Sequence, residues 1–187
     1  MRDGGGFVEI QVHGALVDVD EVGVLIVGPS GIGKSECALE LVRRGHRLVS
    51  DDLVRIRPGK DPGSLVGTAP ELIRHYMEIR GIGLLHIPDL YGADAVKMEA
   101  GVDLLVRLED WKEGAEYERV GLERATEDIA GVAVSALLLP LRPAGSMATL
   151  IEVAARDALR RRAGSNAARR LDHELRVGGR GTVGTSE

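Results

Sequence analysis

The residues with the clearest chemistry form a glycine-rich run: Gly28, Pro29, Ser30, Gly31, Ile32, Gly33, Lys34 and Ser35. This run fits the pattern G-x-x-x-x-G-K-[ST] of phosphate-binding loops at every fixed position. Glycines let backbone N–H groups turn inward around an anion, and a helix that follows points its positive end at the same place. Lys34 would then contact the β- and γ-phosphates of a nucleotide, and the Ser35 hydroxyl would be a ligand of Mg²⁺.

The segments on either side of this loop have the patterns of a strand and a helix. Residues 22–27 form an apolar run that suits a buried strand, and residues 36–44 carry apolar side chains at helical spacing. Arg43 and Arg44 lie in the last turn of the predicted helix, and Gly45 can end it in the left-handed conformation. Strand, glycine loop and helix in this order are the structural context in which the motif binds phosphate.

Two adjacent carboxylates, Asp51 and Asp52, follow the next predicted strand, residues 46–50. Acidic residues at the end of a strand beside a phosphate loop are common metal ligands in phosphoryl-transfer proteins. One carboxylate could therefore hold Mg²⁺, directly or through water, and the other could accept a proton from an attacking hydroxyl. A solvated turn is the alternative, and it is less consistent with a pair that falls one helix and one strand after Lys34.

Three further side chains admit both a functional and a structural interpretation. His13 precedes a glycine between two strand-like runs, and it could be catalytic or a turn histidine. Glu78 and Arg80 lie in M-E-I-R-G-I-G, residues 77–83, whose glycines suggest a tight loop that leads into a strand. Glu78 could add a metal ligand there and Arg80 could contact phosphate, although an ordinary surface pair of charges has the same spacing.

The rest of the chain alternates strand and helix patterns around the phosphate loop, which predicts an α/β fold. Further strands are predicted over residues 7–12, 15–19, 53–56, 65–69, 84–88, 102–108 and 129–139, the last ended by Pro140. The runs 7–12 and 15–19 look like a hairpin, as do 53–56 and 65–69. Helices are predicted over 70–76, 90–96 and 147–162, and from a Ser165 cap to Leu175.

Composition limits the class of protein. The 187 residues suffice for one domain, expected over residues 1–176, and the polar, Gly-rich residues 177–187 are expected to be disordered. The formal net charge of -5 argues against a general nucleic-acid binder. The single cysteine, Cys37, cannot form an internal disulfide, and the first residues lack the apolar core of a signal peptide, so a cytoplasmic protein is expected. No apolar run is long enough to span a membrane.

Taken together, these residues resemble the catalytic domain of bacterial HPr kinase/phosphorylase. The runs G-P-S-G-I-G-K-S-E and R-G-H-R-L-V-S-D-D match the family around the loop and the paired carboxylates. The run M-E-I-R-G-I-G resembles a signature of the family itself. The remainder fits through Trp111, Y-E-R-V-G at 117–121, P-L-R-P at 140–143 and I-E-V-A-A-R at 151–156, so the resemblance covers about residues 8–162.

The resemblance implies an α/β phosphate-loop fold with a mixed sheet and C-terminal helices, related to the core of phosphoenolpyruvate carboxykinase. It implies Mg²⁺-dependent phosphate transfer from ATP, or from pyrophosphate in some members, to a serine of the phosphocarrier protein HPr. It also implies the reverse reaction, driven by inorganic phosphate, and assembly into homo-hexamers. The resemblance implies that His13 matches a catalytic histidine, Lys34 the phosphate-binding lysine and Arg119 a catalytic arginine. Ser35 and Glu78 match two metal ligands. Asp52 matches the acid–base residue, with Asp51 beside it.

The sequence departs from the family pattern in two places. Most members carry an N-terminal domain, whereas the resemblance here starts near the first residue, so a short form without that domain is expected. The second departure follows Pro140, where the family usually has P-V-R-P-G-R-N, a loop associated with the reverse reaction. Arg142 is retained, but Gly145 and Ser146 stand in place of the second arginine and the asparagine. The loss of one cation and one amide predicts weak or absent dephosphorylation.

Two other functions remain open from the sequence. The same core could phosphorylate a different protein or a small molecule, because the motifs do not identify the acceptor. It could also be a non-enzymatic regulator whose partner reads its nucleotide state. The joint presence of Asp51, Asp52, Glu78 and Arg119 argues against an inactive enzyme.

Overall fold

The computed structural model describes residues 9–114, 117, 121, 123–141 and 145–178. Within these ranges the strands are β1 Ile10–His13, β2 Ala15–Val19, β3 Val22–Val27, β4 Arg47–Ser50, β5 Leu53–Pro58, β6 Leu65–Thr68, β7 Tyr76–Ile79, β8 Gly83–His86, β9 Glu99–Gly101, β10 Leu104–Asp110, β11 Ala125–Ile129 and β12 Val132–Leu141. The helices are α1 Lys34–Arg43, α2 Ile87–Tyr91, α3 Met147–Arg162 and α4 Ala167–Gly178. None of these helices combines the length and the apolar character needed to cross a bilayer.

A six-stranded mixed sheet forms the centre of the fold, in the order β11-β12-β10-β3-β2-β4. Strands β3, β10 and β12 run parallel to one another, whereas β2, β4 and β11 pair antiparallel with their neighbours. Every residue of β2 and β3 is buried, which explains why both strands read as nearly unbroken apolar runs. The predicted α/β fold with a mixed sheet is confirmed.

Helices α1 and α3 cover one face of the central sheet. Their buried stripes consist mainly of small apolar side chains at helical spacing: Cys37, Ala38, Leu41 and Val42 in α1, and Met147, Ala148, Ile151, Ala154, Ala155 and Ala158 in α3. Because aromatic residues are scarce, the close packing of these small side chains builds this part of the core. The prediction for α3 is confirmed over the same residues, and Gly45 after α1 has the expected left-handed φ of 96°.

A second, antiparallel sheet in the order β1-β5-β6-β9 packs on the opposite face of the central sheet. Val54 and Ile56 of β5 share a core cluster with Leu16 and Leu25 of the central sheet. The predicted hairpin of residues 53–56 with 65–69 is confirmed as β5 and β6. The two sheets therefore bury a second apolar layer between them, in addition to the layer under the helices.

The predicted hairpin of residues 7–12 with 15–19 is wrong. Strand β1 pairs with β5 in the small sheet, whereas β2 pairs with β3 and β4 in the central sheet. The chain passes between the sheets at Gly14, where a Cβ would lie 2.5 Å from the Ile26 carbonyl oxygen. The glycine is therefore required by a close approach of two backbones and not by a reversing turn.

Two predicted helices are shorter than expected. Only a 3-10 turn over Glu71–Ile73 forms within 70–76, because Tyr76 already begins β7. The helix expected over 90–96 is divided into α2 and a 3-10 turn over Ala93–Ala95, and Gly92, with φ of 87°, separates them. A positive φ combined with ψ of 165° at Gly92 cannot continue an α-helix, which explains the break.

Three element boundaries in the C-terminal half differ from prediction. Residues 129–139 belong to two strands, β11 and β12, which are joined by a turn. Pro140 does not end β12, because β11 pairs only as far as Ala136 and leaves that side of the strand free for a proline. Helix α4 is capped by Asn166, whose Oδ1 accepts a hydrogen bond from the Arg169 N–H at 3.1 Å, and not by Ser165.

The contact between β3 and β9 leads to a stability prediction. A Cβ on Gly23 would lie 1.5 Å from the Gly101 carbonyl oxygen, so Gly23→Ala should lower the free energy of unfolding by about 3 kcal/mol. Gly63→Ala is the matched control: φ there is 75°, but nothing lies within 4 Å of the added Cβ, so about 1 kcal/mol should be lost. Urea denaturation followed by circular dichroism measures both values. Equal losses would contradict a steric requirement at Gly23.

Candidate active site

The glycine-rich loop 28–33 connects the carboxyl end of β3 to the first turn of α1. Gly31 and Gly33 have φ of 80° and 96°, in the left-handed region that favours glycine. A Cβ on Gly28 would lie 2.6 Å from the Leu108 carbonyl oxygen of β10, so this position also requires glycine. The motif therefore lies between strand and helix as predicted, with the positive end of α1 beside it.

Lys34 and Ser35 begin α1 and line the same cleft as the loop. The buried Lys34 ammonium donates to the carbonyl oxygens of Gly28 and Pro29 at 3.1 and 2.9 Å. Its positive charge therefore lies at the loop, where phosphate oxygens would bind. The Ser35 hydroxyl donates to Asp51 Oδ1 at 3.0 Å, which links α1 to the residue after β4.

A second crossing between the sheets lies beside Gly14 and carries the paired carboxylates. Strand β4 belongs to the central sheet, the chain turns at Asp51 and Asp52, and β5 then pairs with β1. The Gly14 N–H donates to the Asp52 carbonyl oxygen at 3.0 Å and so joins the two crossings. As a result His13 Nδ1 lies 3.2 Å from Asp52 Oδ1, with both side chains more than half exposed. Asp52 has φ of 69°, a conformation that aspartate adopts more readily than most residues.

The two adjacent aspartates have different environments. Asp52 faces solvent, whereas Asp51 is buried behind Ser35. Burial raises the pKa of Asp51 to about 6. Hydrogen bonds from Ser35 and from the backbone of Asp52 and Glu78 lower this pKa in part, whereas the nearby charge of Asp52 raises it further. The exposed carboxylate is accessible to a molecule that enters the cleft, and the buried one would be stabilised by a cation.

Strands β7 and β8 form an antiparallel hairpin that brings Glu78 and Arg80 to the cleft. The alternation of β7 buries Met77 and leaves Glu78 exposed. The Arg80 guanidinium lies over the loop, with Nη1 3.5 Å from the position that a Cβ on Gly31 would occupy. The tight loop expected at 77–83 is thus a hairpin with Arg80 at its turn. Within the described chain, Glu78 and Arg80 form no ion pair with each other.

These elements enclose a cleft of about 200 Å³. The structure brings together ten residues singled out from the sequence, which line it: His13, Ser30, Gly31, Gly33, Lys34, Ser35, Asp51, Asp52, Glu78 and Arg80. Gly28 and Pro29 line a neighbouring cavity that also reaches His13, and Ile32 packs in the core. Arg119 and Arg142 lie outside the described residues.

Glu36 lines the cleft as well, although it follows the last fixed position of the phosphate-loop pattern and the sequence alone assigns it no role. It lies in the first turn of α1, and its Oε2 is 3.9 Å from the position that a Cβ on Gly33 would occupy. The signal that could have identified it is its place directly after Ser35, since the first turn of a helix behind a phosphate loop faces the ligand. An acidic residue there also interacts favourably with the helix dipole, so a structural interpretation explains it equally well.

The oxygen atoms in the cleft suit Mg²⁺. The Ser35 hydroxyl and the Asp51 carboxylate are in contact, Glu78 lines the same cleft, and Mg²⁺ typically binds one or two carboxylates while it keeps several waters. A divalent cation would also offset the burial that raises the pKa of Asp51. The described part of the chain contains no group of three or more His, Cys, Asp or Glu side chains arranged to hold a metal.

Ser146 ties the segment after β12 to α1. Its hydroxyl caps α3 by accepting from the Thr149 N–H at 3.2 Å, and it donates to Glu40 Oε1 at 2.8 Å. Arg44 donates to both Ser146 and Glu40. Gly145 has φ of 137°, and nothing lies within 4 Å of a Cβ built there. The two positions that depart from the family pattern are therefore a helix cap and a glycine with positive φ.

Comparisons with known proteins agree with this geometry. Residues 7–175 match the family of HPr Serine kinase C-terminal domains. The HPr kinase/phosphorylase of Bacillus licheniformis is 51% identical over 164 residues, and that of Bacillus subtilis is 49% identical over 164 residues; each match covers 88% of this chain and 53% of the relative. The solved structure of the Hpr(Ser) kinase/phosphatase from Coxiella burnetii has a TM-score of 0.73 and 33% sequence identity, and the match covers 83% of this chain and 99% of that chain.

The extent of these matches decides what they show. The chain spans about half the length of the curated relatives that it matches. The family match, in contrast, extends over most of this chain, and the similarity to the Coxiella burnetii structure covers the same α/β architecture of mixed sheet and C-terminal helices. This chain therefore belongs to the family of HPr Serine kinase C-terminal domains.

Proposed function

We propose that this chain transfers the γ-phosphoryl group of ATP to a serine hydroxyl of the phosphocarrier protein HPr. The observation that carries the proposal is an exposed carboxylate, Asp52, which lines a phosphate-loop cleft and lies beside His13. The names of the curated relatives refer to HPr, and shared family membership supports HPr as the acceptor here. ATP as donor is supported by the motif that ends in Lys34 and Ser35.

The proposed mechanism relies on positioning and on electrostatic stabilisation. Backbone N–H groups of the loop 28–35 and the Lys34 ammonium would hold the β- and γ-phosphates. Arg80 would contact the phosphates from the hairpin that lies over Gly31. Ser35, Asp51 and Glu78 would hold Mg²⁺ through their oxygen atoms, and the cation would neutralise phosphate charge.

Asp52 would act as the general base. Its exposed carboxylate can reach a serine hydroxyl that enters the cleft and can take the proton as the new O–P bond forms. His13, 3.2 Å from that carboxylate, would orient it and, when protonated, would balance its charge. Arg119, the catalytic arginine that the resemblance implies, stays a prediction because it lies outside the described residues.

We propose in addition that the reverse reaction is weak. In that reaction inorganic phosphate attacks the phosphoserine, the serine hydroxyl leaves, and pyrophosphate forms. The site must therefore hold inorganic phosphate beside the phosphoserine. Gly145 and Ser146 supply neither the second cation nor the amide of the family pattern. The Ser146 hydroxyl is also engaged with α1 and α3.

Three further parts of the proposal depend on the family or on composition. Homo-hexamers are expected from the family, and a cytoplasmic location is expected from the family and from the composition. The absence of a nucleic-acid partner is supported by the net charge of -5.

Asp52→Asn should remove most phosphate transfer while nucleotide binding is retained. We expect kcat for transfer from labelled ATP to HPr to fall by about 10²- to 10⁴-fold, because the amide cannot accept the serine proton. The Kd for ATP should change by less than about threefold, and Asp61→Asn in an exposed loop is the matched control. Near wild-type kcat in Asp52→Asn would contradict the assignment. HPr that stays unlabelled by the wild type would favour another acceptor or a non-enzymatic regulator.

Mg²⁺ affinity should depend on the buried carboxylate. In the presence of ATP, Asp51→Asn should weaken Mg²⁺ binding by about tenfold or more, because a charged oxygen ligand becomes neutral. Glu78→Gln should also weaken Mg²⁺ binding. Glu99→Gln, a substitution at an exposed position of β9, should leave the Mg²⁺ affinity unchanged. Isothermal titration calorimetry measures each affinity. Equal Mg²⁺ affinities in wild type and Asp51→Asn would exclude Asp51 as a ligand.

The reverse reaction can be tested at Gly145. Dephosphorylation of serine-phosphorylated HPr by inorganic phosphate should be at least about 10² times slower than the forward reaction, because one charged contact to phosphate is missing. Gly145→Arg should accelerate it relative to Gly145→Ala, because both variants place a side chain at the same positive φ and only one adds a guanidinium. Dephosphorylation by the wild type as fast as the forward reaction would refute the proposal.

A further inference from the structure

A separate cavity, of about 920 Å³, lies where α3 meets α4 and reaches Ser135 of β12 and the two residues that precede β11, Glu123 and Arg124. It shares no lining residue with the active-site cleft. Its charged lining is predominantly basic, with four arginines and one glutamate: Arg124, Arg161, Arg169, Arg170 and Glu123. A concentration of cations in a chain of net charge -5 requires a physical explanation.

Arg124 is the most unusual of these side chains, because it is only 10% exposed. Its Nη2 donates to the Asp157 carboxylate at 2.6 Å and to the Ala154 carbonyl at 3.2 Å. Its Nη1 is buried and has no hydrogen-bond partner among the described residues. A buried donor of a charged group without an acceptor is costly, and burial lowers the pKa of Arg124 in spite of Asp157.

Asp157 does not neutralise the cluster. The same carboxylate oxygen also accepts from Arg161 Nε at 2.6 Å, so one acid serves two buried or half-buried arginines. The remaining acid, Glu123, is exposed and lies 3.5 Å from the exposed Arg169. An ion pair between two exposed side chains contributes little stabilisation. Arg170 makes no ion pair within the described ranges. The cavity therefore carries an excess of positive charge.

The first turn of α4 adds to this excess. Asn166 caps the helix, Arg169 and Arg170 follow in its first turn and there is no acidic residue in that turn. Cations at the positive end of a helix are unfavourable, whereas an anion there is stabilised by the helix dipole. The sequence thus places arginines where the helix alone would favour Asp or Glu.

We propose that this cavity binds a small multivalent oxyanion of the phosphate class, held by Arg169 and Arg170 at the N-terminus of α4 and by Arg124 beneath them. The long, exposed side chains of Arg169 and Arg170 can move aside to admit the anion to the buried guanidinium. The anion supplies the acceptor that Arg124 Nη1 lacks and balances the charge at the helix end. An extended acidic peptide is less suitable, because a single buried donor lies below a compact group of cations.

Site-resolved NMR with inorganic phosphate as the probe tests this proposal on the whole chain. At constant ionic strength, phosphate should shift the amide resonances of residues 164–170 with saturation, and these are distinct from the resonances of residues 28–35 that report on the active-site loop. The double variant Arg169→Gln/Arg170→Gln should weaken this binding by about tenfold or more. Both side chains are exposed, so we expect this variant to keep the fold.

The matched control is Arg160→Gln/Arg176→Gln, which removes two charges from the same helices outside the cavity and should bind phosphate as the wild type does. Arg124→Lys, which keeps the charge but removes the planar fork, should also weaken binding. Shifts equal to those produced by chloride, or equal phosphate affinity in the wild type and the Arg169→Gln/Arg170→Gln variant, would overturn the proposal. A hexaglutamate peptide that saturates these resonances when phosphate does not would overturn it as well.

Discussion

A single backbone hydrogen bond, from the Gly14 N–H to the Asp52 carbonyl oxygen, joins the two places where the chain passes between the sheets. One passage leads from β1 to β2 and the other from β4 to β5, and the first closely approaches the phosphate-loop strand β3 at Ile26. His13, Asp51 and Asp52 are placed by these passages and not by loops of their own. A change that separates the two backbones would therefore displace all three side chains together.

Burial then gives neighbouring residues different chemistry. The turn after β4 directs Asp51 toward Ser35 and leaves Asp52 in solvent, with the positive φ of Asp52 as the backbone feature that separates them. The same low-dielectric region contains the Lys34 ammonium, which is held by two carbonyl oxygens of the loop. Two carboxylates adjacent in sequence can thus carry out separate tasks, one toward a cation and one toward a proton.

Local motifs made most of the candidate site predictable from the sequence. The glycine positions, Lys34 and Ser35 follow from contiguous residues, and Asp51 and Asp52 follow from their place at the end of a strand. Strand pairing was not predictable for β1, because its loose alternation suits a partner in either sheet. Gly14 reads as a turn glycine, since the carbonyl of Ile26 that requires it is distant in sequence. Ser165 and Asn166 are both good helix caps, and only the backbone geometry distinguishes them.

The cap at Ser146 separates the chemistry of its loop from the stability of the helix behind it. Serine and asparagine satisfy the first N–H groups of a helix about equally well. An exchange between these two residues at position 146 would therefore leave α3 intact while it changes the side chain that the proposed reverse reaction would offer to inorganic phosphate. Members of this family could gain or lose an amide there without passing through an unstable protein. Under the proposed function, the balance between the two directions of phosphate transfer could then change without a cost to folding.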